Sequence, residues 1–285
     1  AVAGSINITT NNPTPFYTGK FETSFSNDNG KTFAGALGGP LFNTIAFRIA
    51  GVKHSQNGFR KNVFTNSDDS NGKDEFFVRT KLQWNPISNL NISFMNFNSV
   101  LNNKYDAWAP DNNEELITYS DNQGMDSQKT EANALKINFP EVFGFQTEYK
   151  FSNSSNDLVH SYDGDWGNNN YWLDNHGFDP DVEGWSYEFW DEINREKSLK
   201  TGEFTINTTE NINLPLNSKI IVGIYNSNIS QIDTATGWLF GGYATELNSD
   251  FEISNSAVYS NLNSKLSEKL ELNFSTRFEN YSIDY

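Results

Sequence analysis

Between residues 143 and 151 the odd positions are Phe143, Phe145, Thr147, Tyr149 and Phe151, while Gly144, Gln146, Glu148 and Lys150 fill the even ones. A period of two places the two sets on opposite faces of one β-strand, one apolar and the other charged. The same alternation returns along the chain. Tyr17, Gly19, Phe21, Thr23 and Phe25 form one apolar series; Ile45, Phe47 and Ile49 form a second, and Leu135, Ile137 and Phe139 a third. Phe76, Val78, Thr80, Leu82 and Trp84 oppose Phe77, Arg79, Lys81 and Gln83. In the clearest case Leu270, Leu272, Phe274, Thr276 and Phe278 oppose Glu271, Asn273, Ser275 and Arg277. Weaker alternation covers 32–38, 90–99, 198–209, 219–226 and 251–266. With helical periodicity nearly absent, the pattern predicts an all-β chain of about eleven strands.

The expected connectors sort into two kinds. Tight turns follow alternate strands, at 39–43, 85–89, 140–144, near Pro215 and at 267–269. Long polar connectors fall between them, at about 55–74, 100–129, 153–197 and 227–250. In an antiparallel up-and-down meander, alternate connections emerge at the same end, so the long loops gather at one rim. Connectors above roughly 12–15 residues are uncommon in compact domains and are usually functional.

Alternating strands suit either a sandwich, whose apolar face points into a core, or a transmembrane barrel, whose apolar face points out to lipid. Three features favour the barrel. Arg79, Lys81, Glu148, Lys150 and Arg277 suit a polar lumen, whereas Phe143, Phe145, Tyr149, Leu272, Phe274 and Phe278 suit contact with lipid. Aromatic residues flank the short turns, as in an interfacial girdle. The asymmetry of turns and loops matches the two rims of such a barrel. The alternative is a secreted carbohydrate-binding β domain.

The 285 residues carry a formal charge of -16, are 36% hydrophobic and include no Cys. The acidic balance argues against a nucleic-acid partner, which needs clustered cations. The absence of Cys excludes a disulfide framework and thiolate metal sites. No run approaches the roughly 20 apolar residues of a membrane helix, a test to which barrel strands are blind.

Gly4, Ile6, Asn7, Ile8, Thr9 and Pro13 resemble the end of the plug domain of TonB-dependent outer-membrane receptors, where a Gly-x-Ile-Asn-Ile strand leads into the barrel. Gly38-Gly39-Pro40-Leu41 with Ile45–Gly51 is similar to the family's first periplasmic turn and the strand after it. Asp74-Glu75 with Arg79, Lys81 and Trp84-Asn85-Pro86 resembles the next returning strand, and Tyr162–Trp166 the start of a long extracellular loop. The resemblance runs through most of the chain. It implies that residues 1–14 are the last plug strand and linker, and that 15–285 are the N-terminal half of a 22-stranded barrel, left open. The rest of the plug, its TonB-contacting box and the C-terminal strand fall outside the match, so the chain looks like a fragment. The implied function is energy-coupled uptake of a scarce nutrient across the bacterial outer membrane. A ferric siderophore or similar chelate is the expected cargo, with cobalamin or an oligosaccharide as alternatives on the same fold. The implied partners are outer-membrane lipid, the TonB energy-coupling complex and the nutrient ligand.

Catalytic chemistry has little support. His54, His160 and His176 lack metal-ligand spacing, and there is no nucleophile elbow or phosphate-binding glycine loop. Asp163/Asp165 and Asp191/Glu192 pairs arise freely among 36 acidic residues. Asp163-x-Asp165 with Asp174 mimics a calcium loop but has Gly167 and Asn168 where a ligand and a glycine belong. The expectation is no enzyme, no cofactor and no metal. The best ligand contacts are loop aromatics able to grip a flat chelate or sugar face: Tyr105 and Trp108, with Trp166, Tyr171, Trp172 and Trp185. The competing reading is that they pack loop against loop.

Overall fold

The computed structural model describes residues 8–237 and 248–285. One antiparallel sheet of 11 strands, each hydrogen-bonded to its neighbours along the sequence, makes up most of the molecule. Its strands are β1 (Thr18–Ser26), β2 (Gly30–Phe42), β3 (Ile45–Gln56), β5 (Lys73–Trp84), β6 (Asn91–Lys104), β8 (Met125–Asn138), β9 (Phe145–Asp163), β10 (Trp190–Thr208), β11 (Lys219–Gly237), β12 (Ser249–Ser267) and β13 (Leu270–Asp284). Two short strands, β4 (Lys61–Asn62) and β7 (Ile117–Thr118), pair in parallel outside this sheet. Helices α1 (Asn169–His176) and α2 (Pro180–Glu183) lie in the connector between β9 and β10.

Among the described residues only two apolar side chains, Ala235 and Ala257, are fully buried. A sheet this large without an apolar core is a single wall, and most of its large exposed apolar side chains lie on one surface. Side chains directly opposite in an antiparallel pair point to the same face. Ile45, Trp84, Ile92, Ile137, Tyr149, Phe204, Ile224, Val258 and Phe278 are successively opposite one another, giving an apolar row across nine strands. The residues singled out for lipid contact on the strands, Phe145, Tyr149, Leu272, Phe274 and Phe278, all share this face. Arg79, Lys81, Glu148, Lys150 and Arg277 all share the other.

The charged face is tied together laterally. Glu148 pairs with Lys136 at 2.6 Å and Lys150 at 2.8 Å, and Lys150 reaches Glu203 at 3.2 Å. Tyr259 Oη donates to Glu203 at 2.7 Å, and the Arg277 guanidinium lies 5.6 Å from the Tyr225 ring and 6.0 Å from that of Tyr259. At the other side of the sheet, Lys81 Nζ donates to Thr10 O at 2.9 Å and Asn12 Oδ1 at 3.1 Å, so the N-terminal segment lies against the charged face. Residues 8–14 hold no strand, and residues 1–7, where most of the plug-like pattern lies, fall outside the described residues.

Phe143 departs from the strand pattern. It has φ 50° and Gly144 has φ 80°, and Val142 and Phe145 exchange both backbone hydrogen bonds across them. That is a two-residue hairpin turn with both central φ positive, so the strand starts at Phe145 and Phe143 projects from the turn, 92% exposed.

The turns at 43–44, 85–90, 139–144, 209–218 and 268–269 share one end of the sheet. The other end carries the connectors at 57–72, 105–124 and 164–189, together with the tight 27–29 turn. Several expected loops are shorter than the sequence pattern suggests because the strands run into them. β9 and β10 each span 19 residues and absorb 153–163 and 190–197, and β11 continues to Gly237. Of the rest of the expected 227–250 loop, 238–247 lies outside the described residues and 249–250 begin β12.

Candidate functional site

The long-connector rim is built by three loops that hold one another. β4 from the 57–72 connector pairs with β7 from the 105–124 connector, and Asn62 Nδ2 donates to Ser120 O at 2.7 Å. The third loop docks on the second: Asn168 Nδ2 donates to Tyr119 O at 2.7 Å, and Asp121 N donates to Gly167 O at 3.0 Å.

Buried aspartates set these loop conformations by accepting backbone hydrogen bonds. Asp106 Oδ1 accepts from Asp163 N at 3.1 Å, while its Oδ2 accepts from Gly124 N. Asp163 Oδ1 accepts from Asp165 N and Trp166 N, both at 3.2 Å. Asp165 Oδ1 accepts from Gly167 N at 2.9 Å and Trp172 Nε1 at 3.0 Å, and its Oδ2 accepts from Phe189 N at 3.0 Å. Burial pushes the Asp106 carboxyl up to about 6, against these two N–H groups and the nearby His160, which favour its charge. Burial and then the charges of Asp165, Asp106 and Asp121 push Asp163 up as well. Among the described residues no group of three or more His, Cys, Asp or Glu side chains is placed to hold a metal ion. The Asp163-x-Asp165 pair is occupied in shaping its own loop.

Helix α1 starts where Asn168 Oδ1 caps Tyr171 N at 3.0 Å, and it ends at Gly177, φ 68°, whose N–H returns to Leu173 O. This turn of helix aims Trp172 inward. Its ring meets Tyr187 at 4.6 Å and His176 at 4.9 Å, and Tyr187 in turn meets Phe189 at 4.5 Å and Phe178 at 5.2 Å. Trp185 closes that cluster against Phe178 at 4.9 Å, and Tyr171 packs on Tyr119 at 4.5 Å. Of the six aromatic residues singled out for ligand contact, Tyr171 thus packs one loop on another, while Trp172 and Trp185 pack within their own loop. Tyr105 sits apart, edge-on to His160 at 4.5 Å.

Trp185 is itself 47% exposed, so exposure alone does not single out Trp108 and Trp166; their pairing does. They come from different loops, and their rings stack with centroids 5.8 Å apart and planes inclined by 26°. They remain 58% and 39% exposed. Trp166 holds φ 59°, a left-handed conformation that bulky residues rarely adopt and that clusters at functional sites. The rim therefore presents a paired indole surface on a hydrogen-bonded frame. Tyr187, one of the aromatic residues counted in the 153–197 connector, takes part in the packing, as do Tyr119, Phe178 and Phe189, which were not singled out by the sequence.

No protein-family model matches the sequence, and no curated protein matches it. Solved structures do. The chain aligns over 96% of its length, with TM-score 0.71 and 12% identity, to 44% of the ferric yersiniabactin uptake receptor FyuA from Yersinia pestis. It aligns over 98% of its length, with TM-score 0.72 and 12% identity, to 43% of the ferric-catecholate import receptor Fiu from E. coli K12. The chain has the fold of a TonB-dependent receptor barrel. The ferripyoverdine receptor of the Pseudomonas aeruginosa outer membrane gives the same likeness, at TM-score 0.69 and 12% identity over 96% of this chain and 38% of that one. The chain therefore spans about two-fifths of the length of these receptors. In such barrels the apolar face contacts lipid and the polar face lines the interior, which matches the two faces of this sheet.

Proposed function

We propose that this chain forms part of the wall and outer rim of a TonB-dependent receptor that imports a ferric siderophore or similar chelate across the bacterial outer membrane. The observation that carries this reading is the exposed Trp108–Trp166 stack at the rim of a receptor-type barrel wall. A flat, partly apolar chelate gains from stacking on an aromatic surface already held in place, because little side-chain freedom is lost on binding. The similar structures named above, two uptake receptors and an outer-membrane receptor for ferric chelates, support that cargo class.

On this reading the apolar row from Ile45 to Phe278 faces lipid, and Arg79, Lys81, Glu148, Lys150 and Arg277 face the lumen. Residues 1–14 are the end of a plug, and the contact of Thr10 and Asn12 with Lys81 favours that placement. Energy coupling runs through the plug to the TonB complex, and the protein transports its cargo without a chemical reaction of its own. The test is uptake by the complete receptor in a strain lacking it, supplied with ferric chelates, cobalamin or oligosaccharides as sole source. Growth on a ferric chelate that Trp108→Ala and Trp166→Ala both weaken supports the proposal. Growth only on cobalamin or an oligosaccharide refutes the cargo.

A further inference from the structure

The charged face is balanced on β1, where Lys20 pairs with Glu22 at 2.8 Å, and on its later strands, but not on β3 and β5. From β8 to β13 Lys136, Lys150 and Arg277 each have a carboxylate within 2.9 Å, supplied by Glu148 or Glu279. On β3 and β5 three cations stand together instead. Arg48 is directly opposite Lys81, while Arg79 precedes Lys81 by two residues on the same face, opposite Ala50. All three are half-buried. Among the described residues Lys81 bonds only the neutral Thr10 and Asn12, and neither guanidinium has an ion pair or hydrogen bond. Glu22, which shares a neighbouring hollow with Arg79, is held by Lys20, and residues 1–17 contain no Asp or Glu that could supply the missing charge.

The three cations also border an open space. Because Ala50 is small, a cavity of 270 Å³ lies between them, bounded by Thr10, Asn11, Arg48, Ala50, Arg79 and Lys81. Like charges held together and partly removed from water repel one another, and an oxyanion placed among them relieves both penalties. Guanidinium groups suit this role, since their planar forks meet carboxylate or phosphate oxygens two at a time, with Lys81 as a point charge.

We propose that Arg48, Arg79 and Lys81 form an oxyanion site on the inner wall, taking one carboxylate- or phosphate-sized group. The group is either a free anion or a carboxylate of the chain that fills the interior. That the face is interior rests on the receptor reading above.

The test is thermal unfolding of the complete receptor, purified from outer membranes in detergent. Wild type, Arg48→Gln, Arg79→Gln, the double variant and Arg79→Lys are compared in phosphate and in chloride at one ionic strength. A free-anion site predicts that phosphate raises the wild-type midpoint by about 2 °C or more, and that the double variant loses this gain. A carboxylate supplied from within predicts no phosphate effect but a lower midpoint in the glutamine variants, restored in part by Arg79→Lys. Failure of the double variant to reach the outer membrane counts with a lowered midpoint. A midpoint that rises on neutralisation, or one indifferent to both phosphate and substitution, overturns the site. Fractionation judges the receptor reading separately: a wild-type protein found outside the outer membrane refutes that reading whatever the midpoints do.

Discussion

Tyr259 lies across the bare backbone of Gly223, its direct partner on β11; a β-carbon at Gly223 would fall 2.3 Å from the ring. The missing side chain lets the phenol lie flat and reach Glu203, one strand further on. Replacing Gly223 by Val should lift the ring, break that hydrogen bond and separate Tyr259 from Arg277. The expected cost is about 1–3 kcal/mol, from crowding and from a charged acceptor losing its donor. Denaturant unfolding of the complete receptor in micelles measures it. Tyr259→Phe should cost less than Gly223→Val, because it loses the bond without crowding the wall.

The facing of the sheet makes a second prediction. Phe204 occupies the middle of the apolar row, whereas Gln146 is on the charged face. Phe204→Arg should cost roughly 2–4 kcal/mol near the bilayer midplane, and Gln146→Arg much less. Insertion and folding yields compared in outer-membrane lipid would expose a reversed assignment, since the two penalties would then change places.

Trp108 and Trp166 should act as one surface. Each single alanine substitution is expected to weaken cargo binding by about tenfold, and the double variant by less than the product of the two. Trp166→Gly relieves the left-handed backbone and should leave folding intact while binding falls. Fluorescence titration of the purified receptor reads all four; additive losses would mean the rings contact cargo independently.

The rim loops should loosen as pH rises. An unfolded Asp titrates near 3.9, whereas burial raises folded Asp106 to about 6. Between these values the folded state holds the extra proton, so its stability falls as pH climbs and the loss is complete above about 6. Asp163, raised further by its acidic neighbours, extends the same trend to higher pH. Hydrogen exchange corrected for its intrinsic pH dependence should show 105–124 and 164–189 better protected at pH 5 than at pH 8. Asp106→Asn should flatten the lower part of that profile.

All eleven strands of the sheet were visible in the sequence, and the reason is also why their lengths were not. Alternation is legible where one face meets an apolar medium and the other a polar one, as from Phe145 to Phe151. Beyond that point Asn153-Ser154-Ser155-Asn156-Asp157 still forms strand, but polar residues now occupy both faces, and the period of two disappears from the composition without disappearing from the backbone. The site was legible as a supply of aromatic residues rather than as an arrangement. Nothing in the spacing separates Trp166, stacked in the open, from Trp172, whose Nε1 is held by Asp165. That division is made by one left-handed residue and one helix cap.

The polar extension of β9 sets how far the rim stands from the apolar band. From Phe151 to Asp163 the strand continues for 12 residues, a rise of about 40 Å along its own axis at roughly 3.3 Å each, and about 30 Å along the barrel axis after tilt. With the apolar band in lipid, as proposed, the paired indoles consequently stand on a collar well outside it. Whatever approaches from the medium reaches them before it reaches any lipid.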